Sequence, residues 1–471
     1  MIKKTINSQI AILIFLAIFF SISFLIYKDF GATIDEFIVY TRGDYFYHKV
    51  VGNDPYLQKG FVVNDSDNFV LHYYNSTYPA LLYIINNDGS YETYHLLNII
   101  FASFSFVAVY EMLLLTYKKW QYAILGPIFL FFTPRFLGHI PANPKDIPFA
   151  TCYLIVLLLI LYHKKFQSLL SILLIGLFIG LTASLRVLGF GLIFIYLIYI
   201  LLESRNEKNF LKKFPDNIYS FFLVSFISFS VLMMSIPYIG ADPFNHTLEL
   251  LKINKSYPWE GVSLLFGMKY TKENFSINYV PIWIAISTPI SILLLSIRSI
   301  GNSFKNISKL KKILLISLAV QIIFLMVIKP FVYNGIRHYL FIFPQLGILA
   351  VIGLIELTKW RKIFVVVCLL IFIDFGIIAY QYIKIHPYQY VYFNIFGSLN
   401  RDVTRDFDFD YWASSDRKSL EWLKKNTKIE NPKIYMCSAS TSLKTYFPEA
   451  IDSNNNPYKG YEPQKLYHHL V

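Results

Sequence analysis

Long apolar runs separated by short polar connections dominate the chain, and many reach the roughly 17–25 residues that span a bilayer core. They fall near 10–27, 94–116, 121–133, 147–162, 168–184, 187–202, 218–237, 280–297, 313–328, 338–357 and 363–382. The third is short, which predicts a span that crosses at an angle or ends early. The stretch 168–202 is too long for one helix and is divided by Arg186, so it predicts a helical hairpin with a tight outer turn. The expected fold class is an all-α polytopic membrane protein with about eleven transmembrane helices.

The polar connections orient those spans. Lys118-Lys119, Lys164-Lys165, Arg205 to Lys213, Arg298 to Lys312 and Lys359 to Lys362 are basic with few acids. The alternate connections 28–93, 134–146, 238–279 and 329–337, and everything after 382, mix both signs. Basic loops stay cytoplasmic, so the N-terminus is expected inside and the C-terminal segment outside. The first run follows Lys3 and Lys4 and continues into Tyr27-Lys28-Asp29 with no small-residue cleavage site, which predicts an uncleaved first span. The long outer segments are rich in Tyr, Phe and Trp and are expected along the headgroup interface, with an interfacial helix over Glu36–Val50. The expected organisation is a transmembrane domain, 1–382, carrying outer catalytic loops, and a small extracytoplasmic α/β segment, 383–471. In that segment a helix is expected at 416–425 and a strand at 433–437, and the sequence stops soon after this first αβ unit, as a partial domain would.

Composition agrees: 55% of residues are hydrophobic and 15% charged, against about 25% charged in soluble proteins. The net charge of +13 invites a nucleic-acid reading, but the Lys and Arg residues lie in short clusters between apolar runs, as topology requires, so no nucleic-acid partner is expected. The three cysteines, Cys152, Cys368 and Cys437, form no CxxC or Cys/His spacing, so neither a disulfide framework nor a zinc finger is expected. There is no internal repeat, Walker motif or GxGxxG, so nucleotide hydrolysis is not expected.

Chemistry-bearing residues gather at the outer ends of the spans. Asp35-Glu36 leaves the first span; adjacent carboxylates at a membrane exit suit a general base or a solvated interface anchor. The second outer loop, Thr133 to Asp146, packs Arg135, His139, Asn143, Lys145 and Asp146 among three prolines that shape its backbone. Arg186 stands at the mouth of the hairpin, either functional or snorkelling to the interface. Arg337-His338 opens the tenth span near Lys329, and such a convergence of cations suits a phosphate or diphosphate. Asp65-Ser66-Asp67 has DxD spacing but lies far from the membrane exit and reads as an exposed turn.

Taken together, the DE pair after the first span, the loop PRFLGHIPANPKDIPFA and the segment GIRHYLFIFP resemble the bacterial family-39 glycosyltransferases. These are of the GT-C class, relatives of the protein O-mannosyltransferases and the lipid A aminoarabinose transferase. Ser256-Tyr257-Pro258-Trp259, Leu264-Leu265-Phe266-Gly267, Tyr279-Val280-Pro281-Ile282-Trp283, the run His386 to Asn394 and Asp410-Tyr411-Trp412 extend the likeness over nearly the whole chain.

The resemblance implies a GT-C fold in the bacterial cell membrane, a polyprenyl-phosphate sugar donor and inversion at the anomeric carbon. It implies Asp35 as catalytic base with Glu36 as helper, while Arg337, His338, Lys145 and Arg186 would bind the donor phosphate. Arg135, His139, Asn143 and Asp146 would complete a site in the second loop. No cofactor is assigned, and a divalent metal is left open. The likeness supplies neither sugar nor acceptor, and the absence of a MIR-type insert argues against a protein acceptor. The rival expectations are a transporter or flippase of lipid-linked saccharides, against which the lack of repeat symmetry counts, and a polymerase or ligase subunit without a transfer site.

Overall fold

The computed structural model describes residues 2–51, 75, 77–86, 89–166, 168–205, 210–255, 261–302, 307–436 and 440–452. Asp65-Ser66-Asp67, Ser256 to Trp259 and Cys437 lie outside the described residues. The molecule is mostly helical. Among the described residues, seven helices are long and apolar enough to cross a membrane: Ile6–Ile26, Tyr91–Tyr117, Asp146–His163, Val187–Arg205, Phe214–Ser235, Lys309–Ile328 and Arg361–Lys384. Four shorter apolar helices, Trp120–Phe131, Leu169–Leu185, Ile290–Gly301 and Ile342–Leu357, occupy the other apolar segments of the sequence.

Local chemistry sets the helix ends. Ser90, Ser168 and Ser308 are N-caps whose hydroxyls accept from the amides of Thr93, Ser171 and Lys311. Arg186 breaks the long 168–202 run: it ends the Leu169–Leu185 helix in an extended conformation, and a 3-10 turn at Val187–Phe190 starts the return. Two expected spans are corrected. The segment 280–297 is two helices, Tyr279–Ser287 and Ile290–Gly301, because Pro289 has no amide hydrogen to continue the first and instead caps the second. The segment 338–357 becomes a regular helix only at Ile342, which leaves Arg337–Tyr339 as a separate 3-10 turn outside it.

Packing is graded from centre to rim. Ile342–Leu357 is buried along nearly its whole length, and Tyr91–Tyr117 and Asp146–Phe166 pack around the same core. The first and last apolar helices instead expose Leu13, Phe24, Leu25, Phe372 and Ile383. In a bilayer those side chains meet acyl chains, so their exposure carries no hydrophobic penalty. Gly176 and Gly180, one turn apart, let Leu169–Leu185 lie directly on Phe210–Ser235. A Cβ at Gly180 would sit 2.5 Å from the Ser228 carbonyl oxygen, so larger residues there would force the helices apart.

The tail after 384 contains Asp416–Asn426, Ser440–Tyr446 and a parallel pair of two-residue strands, Lys433–Ile434 and Ile451–Asp452. Leu420, Leu443 and Phe447 form its own small core. The helix falls where expected and the strand is shorter than expected. An antiparallel hairpin, Ser263–Leu265 with Met268–Tyr270, turns at Phe266 and Gly267, both with positive φ, and Leu265 bridges to Phe407 of the tail.

Candidate functional site

Asp35 lies in the first turn of the Ile34–Val51 helix. Thr33 and Glu36 start that helix as a reciprocal capping box: the Thr33 amide donates to Glu36 Oε2 at 2.8 Å, and the Glu36 amide to Thr33 Oγ1 at 3.4 Å. The other Glu36 oxygen faces His95 Nε2 at 2.9 Å, while His95 Nδ1 faces the Tyr27 carbonyl at 3.2 Å. Glu36 is 3% exposed and fully engaged in this network, so it holds the helix end instead of sharing a site with Asp35. The Thr-x-x-Glu pattern is the signal that would have moved the expected helix start from Glu36 to Ile34; His95 carried no sequence signal.

Asp35 turns the other way and meets Arg337, whose Nη1 donates to Asp35 Oδ2 at 2.6 Å. Two segments about 300 positions apart thus close on one ion pair. The Arg337 guanidinium also lies 5.2 Å from the Tyr333 ring and 5.5 Å from the Trp412 ring. Burial alone would raise the Asp35 carboxyl; Arg337, with Lys145, Arg186 and Arg42, outweighs it and holds Asp35 below its ordinary value. Arg42 is on the same helix, two turns from Asp35. Burial would lower Arg337, but Asp35 reverses this and holds it above the ordinary value, fully charged.

The second loop contributes from the facing side. The Asn98 amide nitrogen donates to the carbonyls of Pro141 and Asn143 at 3.4 and 3.1 Å, which pins the loop. Asn143 Oδ1 accepts from the Asp146 amide at 2.8 Å and its Nδ2 donates to Asp146 Oδ2 at 3.1 Å. Asn143 is therefore the cap of the Asp146–Phe166 helix, and Asp146 in turn pairs with Arg186 Nε. This pairing corrects the reading of Arg186 as a freely snorkelling cation. Lys145, between them, is pushed well below its ordinary value by burial and by the neighbouring Arg186 charge, with Asp35 opposing. His338 is likewise driven well down by burial and then by Arg186, Arg337 and Lys145, so it is a neutral imidazole and not a third cation. Lys329 is exposed and ends the Lys309–Ile328 helix in a left-handed conformation.

Arg135 and His139 belong elsewhere. Both are fully buried on the Pro134–His139 helix. Arg135 donates to the Tyr392 carbonyl at 2.9 Å and packs between the rings of Trp283 and Phe393. His139 Nδ1 faces the Arg135 carbonyl at 2.6 Å, which makes Nδ1 the protonated nitrogen, so Nε2 accepts from the Tyr411 hydroxyl at 2.7 Å. These residues lock the tail to the second loop, apart from the Asp35–Arg337 pair.

Next to the Asp35–Arg337 pair opens a cavity of about 390 Å³. Its walls include Leu185, Val187, Leu188, Ile236, Phe324 and Val332, and its polar end is Arg186 and His338. Two nitrogens of these lining residues, Arg186 Nη2 and His338 Nε2, are buried with no hydrogen-bond partner, and so is the Nε of Arg337, whose charge acts on His338. Buried donors rarely stay unpaired, so this end is built for an acceptor that arrives from outside. A mostly apolar cavity with Arg186 in its wall fits an amphiphile with an anionic head. Among the described residues no group of three or more His, Cys, Asp or Glu side chains is placed to hold a metal ion. No family model matches the chain, and comparison with curated proteins finds no match.

Proposed function

We propose that this protein is an inverting membrane glycosyltransferase of GT-C type, which moves a sugar from a polyprenyl-phosphate donor to an acceptor hydroxyl on the outer face of the membrane. The observation that carries the reading is the contact between Asp35 and Arg337, within electrostatic reach of Arg186 and His338 in the wall of a mostly apolar cavity. A polyprenyl chain fills the apolar chamber, and its phosphate takes the unpaired nitrogens of Arg186, Arg337 and His338. The anomeric carbon then lies beside Asp35.

Asp35 takes the proton of the acceptor hydroxyl as its oxygen attacks the anomeric carbon. The bond from that carbon to the phosphate oxygen breaks, and polyprenyl phosphate leaves with the electron pair. Arg337 and Arg186 gain most from the charge that develops on the leaving oxygen, which is where stabilisation lowers the barrier. The resting pair also explains how a base held at low affinity for protons becomes useful. The donor phosphate draws Arg337 toward itself, and Asp35, sharing that cation, rises toward a value suited to accepting a proton near neutral pH. Because the lipid phosphate is already a leaving group, no nucleotide is consumed.

The purified protein in lipid nanodiscs, given polyprenyl-phosphate-linked hexoses or pentoses and envelope glycolipid acceptors, is expected to release free polyprenyl phosphate and extend an acceptor. Movement of the intact lipid-linked sugar across a vesicle bilayer with no polyprenyl phosphate released would replace this reading with a flippase. The same reading includes about eleven spans, the four shorter apolar helices among them, with the N-terminus cytoplasmic. A periplasm-active phosphatase fused after the last residue should be active, and a reporter active only in the cytoplasm should be silent there; the reverse result would invert the site's face.

A further inference from the structure

The tail segment that follows the last apolar helix contacts both of the segments that carry the Asp35–Arg337 pair. Asp408, 3% exposed, is an acceptor hub. Its Oδ1 accepts from the Leu264 amide at 2.8 Å; its Oδ2 accepts from the Tyr279 hydroxyl at 2.9 Å and from the Gly335 amide at 3.0 Å. Gly335 stands two residues before Arg337, has a positive φ of 66° and lies against Trp283, so its amide hydrogen bond fixes how the chain enters the Arg337 turn. Four residues after Asp408, the Trp412 ring covers the Arg337 guanidinium.

The same segment then reaches the loop before Asp35. Arg417 donates to the carbonyls of Lys28 and, at 2.9 Å, Phe30. Tyr446 Oη accepts from the Ala32 amide at 2.6 Å, three residues before Asp35. Gly31 is so close to the tail that a Cβ there would lie 2.2 Å from the Ser414 carbonyl oxygen. One short stretch of chain therefore clasps the delivery loop of the carboxylate with Arg417 and that of the guanidinium with Asp408.

We propose that the tail is a working part of the site, with Asp408 and Trp412 as positioning residues that set where the Arg337 guanidinium stands relative to Asp35. Neither residue reaches the reacting atoms. A buried carboxylate that accepts from two backbone amides of different loops fixes their relative position more firmly than a neutral acceptor does. Asparagine cannot replace it: the amide has one acceptor oxygen where Asp408 uses two, so one amide hydrogen would face an NH₂ group. With Gly335 released, Arg337 loses both its anchor and its alignment.

The test uses the full chain in nanodiscs with two variants, Asp408→Asn and Trp412→Leu, and rests on the proposed transfer for one readout only. The second readout is the rate at which phenylglyoxal modifies Arg337, followed by peptide mass spectrometry, with Arg298, which lies over the Trp360 ring and makes none of these contacts, as internal reference. Arg337 is expected to react several-fold faster in both variants while Arg298 keeps its parent rate. Where the parent transfers sugar, turnover is expected to fall about tenfold or more with donor KM little changed, as a displacement near 1 Å does. The acid limb of kcat/KM is expected to move to higher pH, because Asp35 then keeps Lys145, Arg186 and Arg42 but loses its largest opposing charge. Unchanged Arg337 modification in both variants overturns the proposal, as does equal acceleration at Arg298, which would mean general loosening. If Asp408→Asn fails to accumulate, Trp412→Leu alone decides. A parent without transfer refutes the function proposed above and leaves the labelling result to judge the clasp.

Discussion

Replacing Asp35 with asparagine is expected to lower sugar transfer by about 10²–10⁴-fold, the usual range for loss of a general base. The substitution keeps the size of the side chain and a hydrogen-bond acceptor for Arg337 but removes basicity. It also leaves Arg337, whose side chain is 5% exposed, without its counter-charge. Removing one partner of a buried pair costs roughly 3–5 kcal/mol, so the single variant should also accumulate less in the membrane. The double variant Asp35→Asn with Arg337→Gln should recover abundance, since both charges are gone, and recover no turnover. Near-parent transfer in well-inserted Asp35→Asn would remove Asp35 from the mechanism. A pH profile adds a second check on the same residue. kcat/KM reports the free enzyme, in which Arg337 and its neighbours hold Asp35 low. Its acid limb should therefore fall below the ordinary carboxylate range. kcat reports the donor complex, in which the phosphate shares those cations, so its acid limb should lie at higher pH than that of kcat/KM. Coincident limbs would mean that the donor does not compete for Arg337.

Arg337→Lys is expected to cost about ten- to a hundredfold in transfer with membrane abundance retained. Lysine keeps the charge opposite Asp35 and can anchor a helix end, so an arginine that merely snorkels would tolerate the exchange. It lacks the planar fork that holds Asp35 through Nη1 and still presents Nε, the nitrogen left unpaired beside the cavity. One charge-assisted hydrogen bond is worth roughly 1.5–3 kcal/mol, and each 1.36 kcal/mol is about tenfold in rate. The stacking of the guanidinium between Tyr333 and Trp412 is weakened in the same exchange. Transfer at the parent rate would move the phosphate clamp to Arg186, the other cation with an unpaired nitrogen at that end.

The hairpin broken at Arg186, the helix expected over Glu36–Val50 and found from Ile34, and the tail helix at 416–425 were legible because each depends on local pattern: the length of an apolar run, a charge that cannot sit within it, a polar stretch beside it. The splitting of 280–297 was readable in principle from Pro289, whose missing amide hydrogen ends one helix and starts the next. The candidate residues were found as outward-facing charges beside the membrane, and Asp35, Arg337, Lys145 and Arg186 do converge. Their partners were not legible. Nothing near Arg337 in sequence neutralises it; its carboxylate comes from the other end of the chain.

By itself, then, the sequence determined that the chain is helical and apolar in spanning lengths, and which charges must lie outside those lengths, because hydropathy and helix termini act within a few turns. The tertiary structure alone decided the division of labour among those charges. It gave Glu36 to His95 and the helix cap, Asn143 and Asp146 to the second-loop helix and Arg186, and Arg135 and His139 to the tail, and it reserved Asp35 and Arg337 for each other. The reason is physical: a charge withdrawn from water must find its counter-charge or hydrogen-bond partner wherever packing brings one within about 3 Å, and that distance is set by the folded chain and not by spacing along it.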